Sequence, residues 1–206
     1  MEKLLSVVAG SIMIIMFAAL LIVVAPYLQL EAIGPSEGLK PYTEAAARGR
    51  ETYVALGCVY CHSQQPRAPS FGTDQERGWG RPSVPGDYYY DSPHLLGTMR
   101  TGPDLLNIGA RQPSVDWHLL HLYQPRAVLP NSIMPAYPFL FEEADLLLPE
   151  FKVVQVPDKF KPNKNRTIIA TQEALDLVQY LLELHRTFEV DVLYAPDDNK
   201  QASVIK

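Results

Sequence analysis

The chain holds two cysteines, at 58 and 61, and a histidine directly after the second, in the run Cys58-Val59-Tyr60-Cys61-His62. Two thiols separated by two residues can add across the two vinyl groups of a haem as thioethers, while the next imidazole ligates the iron from the same helical turn. Other uses of the pair fit less well. A structural zinc site needs four protein ligands, and no second Cys or Cys/His pair at metal spacing follows. A redox dithiol of the thioredoxin kind needs a βαβ setting, and none surrounds the motif. The spacing therefore points to one covalently bound haem c, with Cys58 and Cys61 as thioether donors and His62 as an iron ligand.

The iron's other face needs a second ligand. Met134 lies in Pro130-Asn131-Ser132-Ile133-Met134-Pro135-Ala136-Tyr137-Pro138. A thioether is a soft ligand that holds a haem at high potential opposite histidine. The prolines prevent a helix and stiffen the loop, so the sulfur is presented with little ordering entropy to lose. Met1, Met13 and Met16 lie in or beside a long apolar run, and Met99 precedes a turn in a charged context. An iron held by His and Met has no vacant position for a substrate, so electron transfer is expected rather than catalysis by this chain alone.

Other polar residues fall around this pair. The carbonyl of Pro103, in Thr101-Gly102-Pro103-Asp104-Leu105, could accept the Nδ1 proton of His62 and raise its basicity. Arg111 could neutralise a haem propionate, although a solvated arginine is the ordinary alternative. A short helix over Val115 to Tyr123 carries Trp117, His118 and His121. His118 and His121 are three apart and share a face, but no third ligand accompanies them, so surface or propionate contact is expected ahead of metal binding.

The remaining elements must position these groups. With 206 residues there is room for one ordinary domain and an attachment. A net charge of −5 excludes a strongly basic nucleic-acid binder. Eighteen prolines against twelve glycines mark a loop-rich middle that needs a centre other than regular hydrogen bonding. No charge occurs between Lys3 and Glu31, and Leu4 to Ala25 is almost unbroken apolar sequence; about twenty such residues cross a bilayer core of roughly 30 Å. A secretion signal has a shorter apolar region, and Pro26 after Val23-Val24-Ala25 should hinder cleavage. The expectation is an uncleaved anchor over 1–30, ending near an interfacial Tyr27, then a linker over 31–42. Haem attachment of this kind takes place on the outer side of a bacterial plasma membrane, which puts the following domain, 43–188, in the periplasm.

Within that domain Thr43 is an N-cap candidate, followed by the helix-favouring Glu44, Ala45, Ala46, Ala47 and Arg48. Gly49 inside this helix costs about 1 kcal/mol relative to alanine, which predicts close approach of another helix on the face it shares with Tyr53. Gly57 permits the turn into the haem motif. From Ser63 to Arg100 periodicity disappears, though Gln64-Gln65-Pro66-Arg67, Trp79 and Tyr88-Tyr89-Tyr90 stand out. Phe151 to Val156 and Arg166 to Ala170 read as two short strands around a basic loop. Thr171 to His185 is an amphipathic helix with Ala174, Leu177, Val178, Leu181 and Leu182 on its buried face, and Tyr180 placed to meet Gly49 and Tyr53. A tail over 189–206 carries no readable function.

These features in this order resemble a class I cytochrome c: Gly49 and Tyr53 before the motif, the Thr-Gly-Pro turn, the Met-Pro loop, and Leu177 to Leu181 in the last helix. More narrowly, the sequence is similar to the membrane-anchored monohaem subunit of cbb3-type cytochrome c oxidases. Cys58 to Gln64, Tyr90 to Pro93, Arg100 to Leu105, Gly109-Ala110-Arg111, Trp117-His118 and Met134 to Pro138 carry that likeness. Glu142 to Arg166 departs from the pattern, and Ala110 stands where glycine is common. The resemblance implies a mainly α class I cytochrome c fold with loop-rich insertions, preceded by one N-terminal transmembrane helix. It implies His62 and Met134 as axial ligands, and it adds Pro103, Arg111 and Trp117 as residues around the cofactor. The implied partners are a catalytic haem–copper oxidase subunit, another cytochrome c subunit, a periplasmic electron donor and the membrane.

Overall fold

The computed structural model describes residues 2–65, 67, 77–145 and 151–190. Pro66, residues 68–76 and 146–150, and the tail beyond 190 lie outside these. The chain opens with helix α1 (Glu2–Ala19), one widened π turn (Leu20–Val24) and helix α2 (Ala25–Glu31). The widened turn has a local cause. Pro26 has no N–H to offer the preceding turn, and its ring crowds the carbonyl four residues back. The backbone responds by pairing the Ala25 N–H with the Leu20 carbonyl, one residue further than an α-helix would. Lys3–Glu31 has a hydropathy of 3.0 with none of its most apolar window buried in the protein. At 1.5 Å per residue it is about 43 Å long, enough to cross a hydrocarbon core. The segment after it does not hang free, because the Ser36 N–H donates to the Gly86 carbonyl at 3.2 Å.

Helix α3 (Glu44–Ala55) packs on the last helix, α8 (Gln172–Glu183). Both begin at a threonine whose hydroxyl accepts from the third backbone N–H on, Thr43 from Ala46 and Thr171 from Ala174, each at 3.3 Å. The glycine in α3 is explained by contact. A Cβ on Gly49 would fall 1.9 Å from the Asp176 carbonyl oxygen, so only glycine lets the helices meet here. Tyr53 and Tyr180 cross edge to face beside it at 5.3 Å. Arg48 bridges to Asp176 at 2.6 Å. Between α3 and α8 come four shorter helices, α4 (Cys58–Cys61), α5 (Ile108–Arg111), α6 (Val115–Tyr123) and α7 (Pro125–Val128). Leu119 and Leu122 of α6 join Ile108, Leu177 and Leu181 in one buried core.

Three short strands complete the fold: β1 (Phe141–Ala144), β2 (Val153–Val154) and β3 (Thr167–Ala170), antiparallel in the order β1-β3-β2. The sequence predicts β2 and β3 but not β1, whose Glu142 and Glu143 carry no apolar signal. β1 is fixed from across the sheet: Phe141 pairs with Ala170, and Arg166 reaches Glu143 at 3.5 Å and Asp145 at 2.8 Å. Ile168, Val154 and Val156 are buried in the core.

Candidate functional site

Two residues past the end of helix α3 stands Gly57, whose φ of +71° is a left-handed conformation that side chains resist. That residue re-aims the chain into α4 (Cys58–Cys61), a single turn closed by the His62 N–H donating to the Cys58 carbonyl at 2.9 Å. Spacings of three and four place Cys58, Cys61 and His62 on one side of this turn. Neither cysteine is in a disulfide, and Cys61 is exposed while Cys58 is half-buried. Burial, with the neighbouring Cys61, pushes the Cys58 thiol up to about 11.

His62 is held from three directions. Its Nδ1–H donates to the Pro103 carbonyl at 2.7 Å. Its own carbonyl accepts from the Tyr53 hydroxyl at 3.0 Å, which ties the motif to the α3–α8 crossing. The Thr101–Pro103 turn approaches the ring so closely that a Cβ on Gly102 would lie 2.2 Å from the His62 Cε1. The Gly102 N–H closes the contact by donating to the Cys61 carbonyl at 2.9 Å. With the proton on Nδ1, the Nε2 lone pair of the neutral ring is left for a metal. Burial also lowers the pKa of His62, favouring that neutral, ligating form.

The methionine loop meets the motif through a residue to which the sequence assigned no role. The Tyr137 side chain lies against the Cys58 thiol, and the Tyr137 N–H donates to the Leu122 carbonyl of α6 at 2.9 Å. Met134, three residues earlier, is half-buried against the core, with its N–H on the Ser132 hydroxyl at 3.3 Å. Met99 is well exposed, at 59 %. Loop and motif are thus neighbours although some seventy residues of chain separate them. Only Tyr137's place three residues beyond Met134 hints at this in the sequence.

The outlying residues sort differently. Arg111 donates to the Asp104 carbonyl at 2.6 Å and lies 4.8 Å over the Trp79 ring. Asp104, then Arg100 and Arg111, act on His62 by their charges, so this side of the site presents a carboxylate together with two guanidinium groups. Trp117 stacks on His121 at 4.7 Å with the rings 10° apart. His118 is buried and donates from Nε2 to the Gln112 carbonyl at 2.8 Å. Gln64, two residues past His62, is wholly buried; it donates to the Tyr180 hydroxyl at 3.0 Å, and its carbonyl accepts from the Tyr88 hydroxyl. Tyr88 is therefore core, while Tyr89 and Tyr90 remain exposed.

A mainly helical domain behind one long apolar helix, with a single histidine held beside two unpaired thiols, has the architecture of a small membrane-linked cytochrome. The chain belongs to the family of the mono-haem subunit of cytochrome c oxidase (FixO), whose family model matches residues 1–188. It is accordingly a mono-haem cytochrome c oxidase subunit with a role in electron transfer. A comparison with curated proteins finds no match to this chain. The residues present fit a haem: an imidazole with Nε2 free to ligate, two thiols outside any disulfide, and a buried His121 Nδ1 with no hydrogen-bond partner among the described residues.

Proposed function

We propose that this chain relays single electrons through one haem c, which Cys58 and Cys61 would hold by thioethers and His62 and Met134 would ligate, to the catalytic subunit of a cbb3-like haem–copper oxidase in aerobic respiration. In this reading residues 1–30 anchor the chain in the bacterial inner membrane, 31–42 link, and 43–188 form the periplasmic haem domain. The single observation that carries it is the His62 ring, oriented by Pro103 on the same turn as two unpaired cysteines. The bound haem supplies one-electron cycling between ferric and ferrous iron.

The chain's own residues do the rest. Pro103 keeps the His62 proton on Nδ1 and makes the imidazole more basic at Nε2. Tyr53 and Gly102 fix the turn, so little reorganisation accompanies a change of charge at the site. Tyr137 braces the methionine loop against the motif. Pro103, Arg111 and Trp117 belong to the cofactor's surroundings, Arg111 through its charge and Trp117 through His121.

Denaturing electrophoresis tests attachment: the haem should travel with the polypeptide and be lost from a Cys58→Ser, Cys61→Ser protein. Partner identification from gently solubilised membranes tests the complex. A large haem–copper subunit should accompany the chain, with any second cytochrome c subunit. Recovery of a lone monomer under every detergent condition would favour a free-standing shuttle instead, and a nitric oxide-reducing partner would move the chain to another haem–copper complex.

A further inference from the structure

His118 and His121 share a face of α6, yet the structure gives them different work. His118 is spent on the Gln112 carbonyl. His121 lies flat on Trp117, which fixes its ring plane, and its Nδ1 is buried with no hydrogen-bond partner among the described residues. An unsatisfied buried nitrogen costs roughly 1–3 kcal/mol, so this position calls for a partner the polypeptide does not supply. The next residue, Leu122, accepts from the Tyr137 N–H at 2.9 Å, which places this end of α6 beside the loop that meets the haem motif. Burial first, then His118 and His62, hold its pKa down to about 4, so in the polypeptide alone it is a neutral ring. A haem brought to His62 carries two propionate carboxylates, and these are its conventional hydrogen-bond acceptors.

We propose that His121, oriented by Trp117, donates from Nδ1 to a haem propionate and so acts as a positioning residue for the cofactor. The proposal rests on the haem reading at His62. A carboxylate without this donor leaves more negative charge near the iron, which favours the ferric state.

The test is spectroelectrochemical titration of the full-length, haem-loaded protein in detergent. His121→Phe keeps a ring for Trp117 but removes the donor. At a fixed potential its ferric-to-ferrous ratio should rise about tenfold, which is about 59 mV for a one-electron couple. His121→Asn places an amide N–H near the Nδ1 position and should stay close to the parent. His121→Gln places its amide nearer the Nε2 position and should behave like His121→Phe. The absorption spectrum should stay the same throughout, because no ligand is touched. A haem-loaded His121→Phe protein with the parental midpoint overturns the proposal. If that variant fails to accumulate, equal midpoints for His121→Asn and His121→Gln overturn it instead. A parent protein without a haem c spectrum would remove the underlying reading, a result distinct from either of these.

Discussion

Gly102 packs so tightly on the His62 ring that it leaves no room for a side chain, and that gives the sharpest prediction. A Cβ added at Gly102 would lie 2.2 Å from Cε1, 2.6 Å from Nδ1 and 2.8 Å from Nε2 of His62. Carbon contacts are comfortable near 3.5 Å, so ring and turn must part by about 1.3 Å. Along the bond line this would open the 2.7 Å Nδ1–H contact to Pro103 to about 4 Å, outside hydrogen-bonding range. The neighbouring Gly102 N–H bond to the Cys61 carbonyl shares the same backbone and is strained with it. A stranded buried donor or acceptor costs roughly 1–3 kcal/mol. For a chain of this size each kcal/mol moves Tm by about 2–4 °C, so Gly102→Ala should lower Tm on the order of 5–10 °C. Thermal unfolding followed by circular dichroism of the solubilised chain measures this, and the visible spectrum of the same sample reports on the haem. Gly34→Ala is the control, since nothing lies within 4 Å of its added Cβ. If Gly102→Ala keeps the parental Tm and spectrum, the turn does not position His62.

Gly49→Ala sets helix propensity against packing: alanine gains about 1 kcal/mol in the helix, but overpacking typically costs about 1–3 kcal/mol and more against backbone. With the Asp176 carbonyl oxygen only 1.9 Å away, the clash should win, and a raised Tm would contradict the crossing. Asp87 accepts from Arg81 at 2.7 and 2.9 Å and from the Val84 N–H at 2.9 Å. Asp87→Ala strands a mostly buried guanidinium and should cost about 3–5 kcal/mol in a urea titration. Burial alone would raise the Asp87 carboxyl, but Arg81, Val84 and Ser36 hold it below the usual range. Its stabilisation is therefore fully present above the unfolded-state pKa of about 3.9 and is lost as pH falls through the lower folded value. Asp87→Asn should flatten the acid limb of the stability profile, and an unchanged limb would show that the pair does not drive it. Met134→Ala, on the proposed ligation, should alter the low-spin spectrum and admit carbon monoxide to the iron. A parental spectrum would send the search for the ligand elsewhere.

The elements readable in advance depend on near neighbours in the chain. Thr43 and Thr171 cap helices because a hydroxyl reaches the N–H three residues on. Val115–Tyr123 forms a helix with the predicted bounds, because Ser114 caps it and its apolar residues repeat at helical spacing. The Cys58-x-x-Cys61-His62 turn is read the same way, since three- and four-residue spacings define a face before any fold exists. Gly49 announced a helix crossing by being a poor helix former in a good helix.

Contacts across the chain were decided only by the tertiary structure. β1 is a strand because β3 offers it a ladder and Arg166 pairs with its acids, and nothing in Phe-Glu-Glu-Ala demands that state. Within the aperiodic stretch before Arg100, the described residues around 81–88 pack on the buried Arg81–Asp87 pair and the Tyr88–Gln64 contact, whose partners lie at no regular spacing. Helical spacing puts His118 and His121 on one face, but only packing separates them, giving one the Gln112 carbonyl and leaving the other's Nδ1 unpaired. Local geometry made the haem motif legible by itself. The fold supplied what surrounds His62, from Pro103 and Gly102 on one side to Tyr53 on another, because those contacts exist only once distant segments pack.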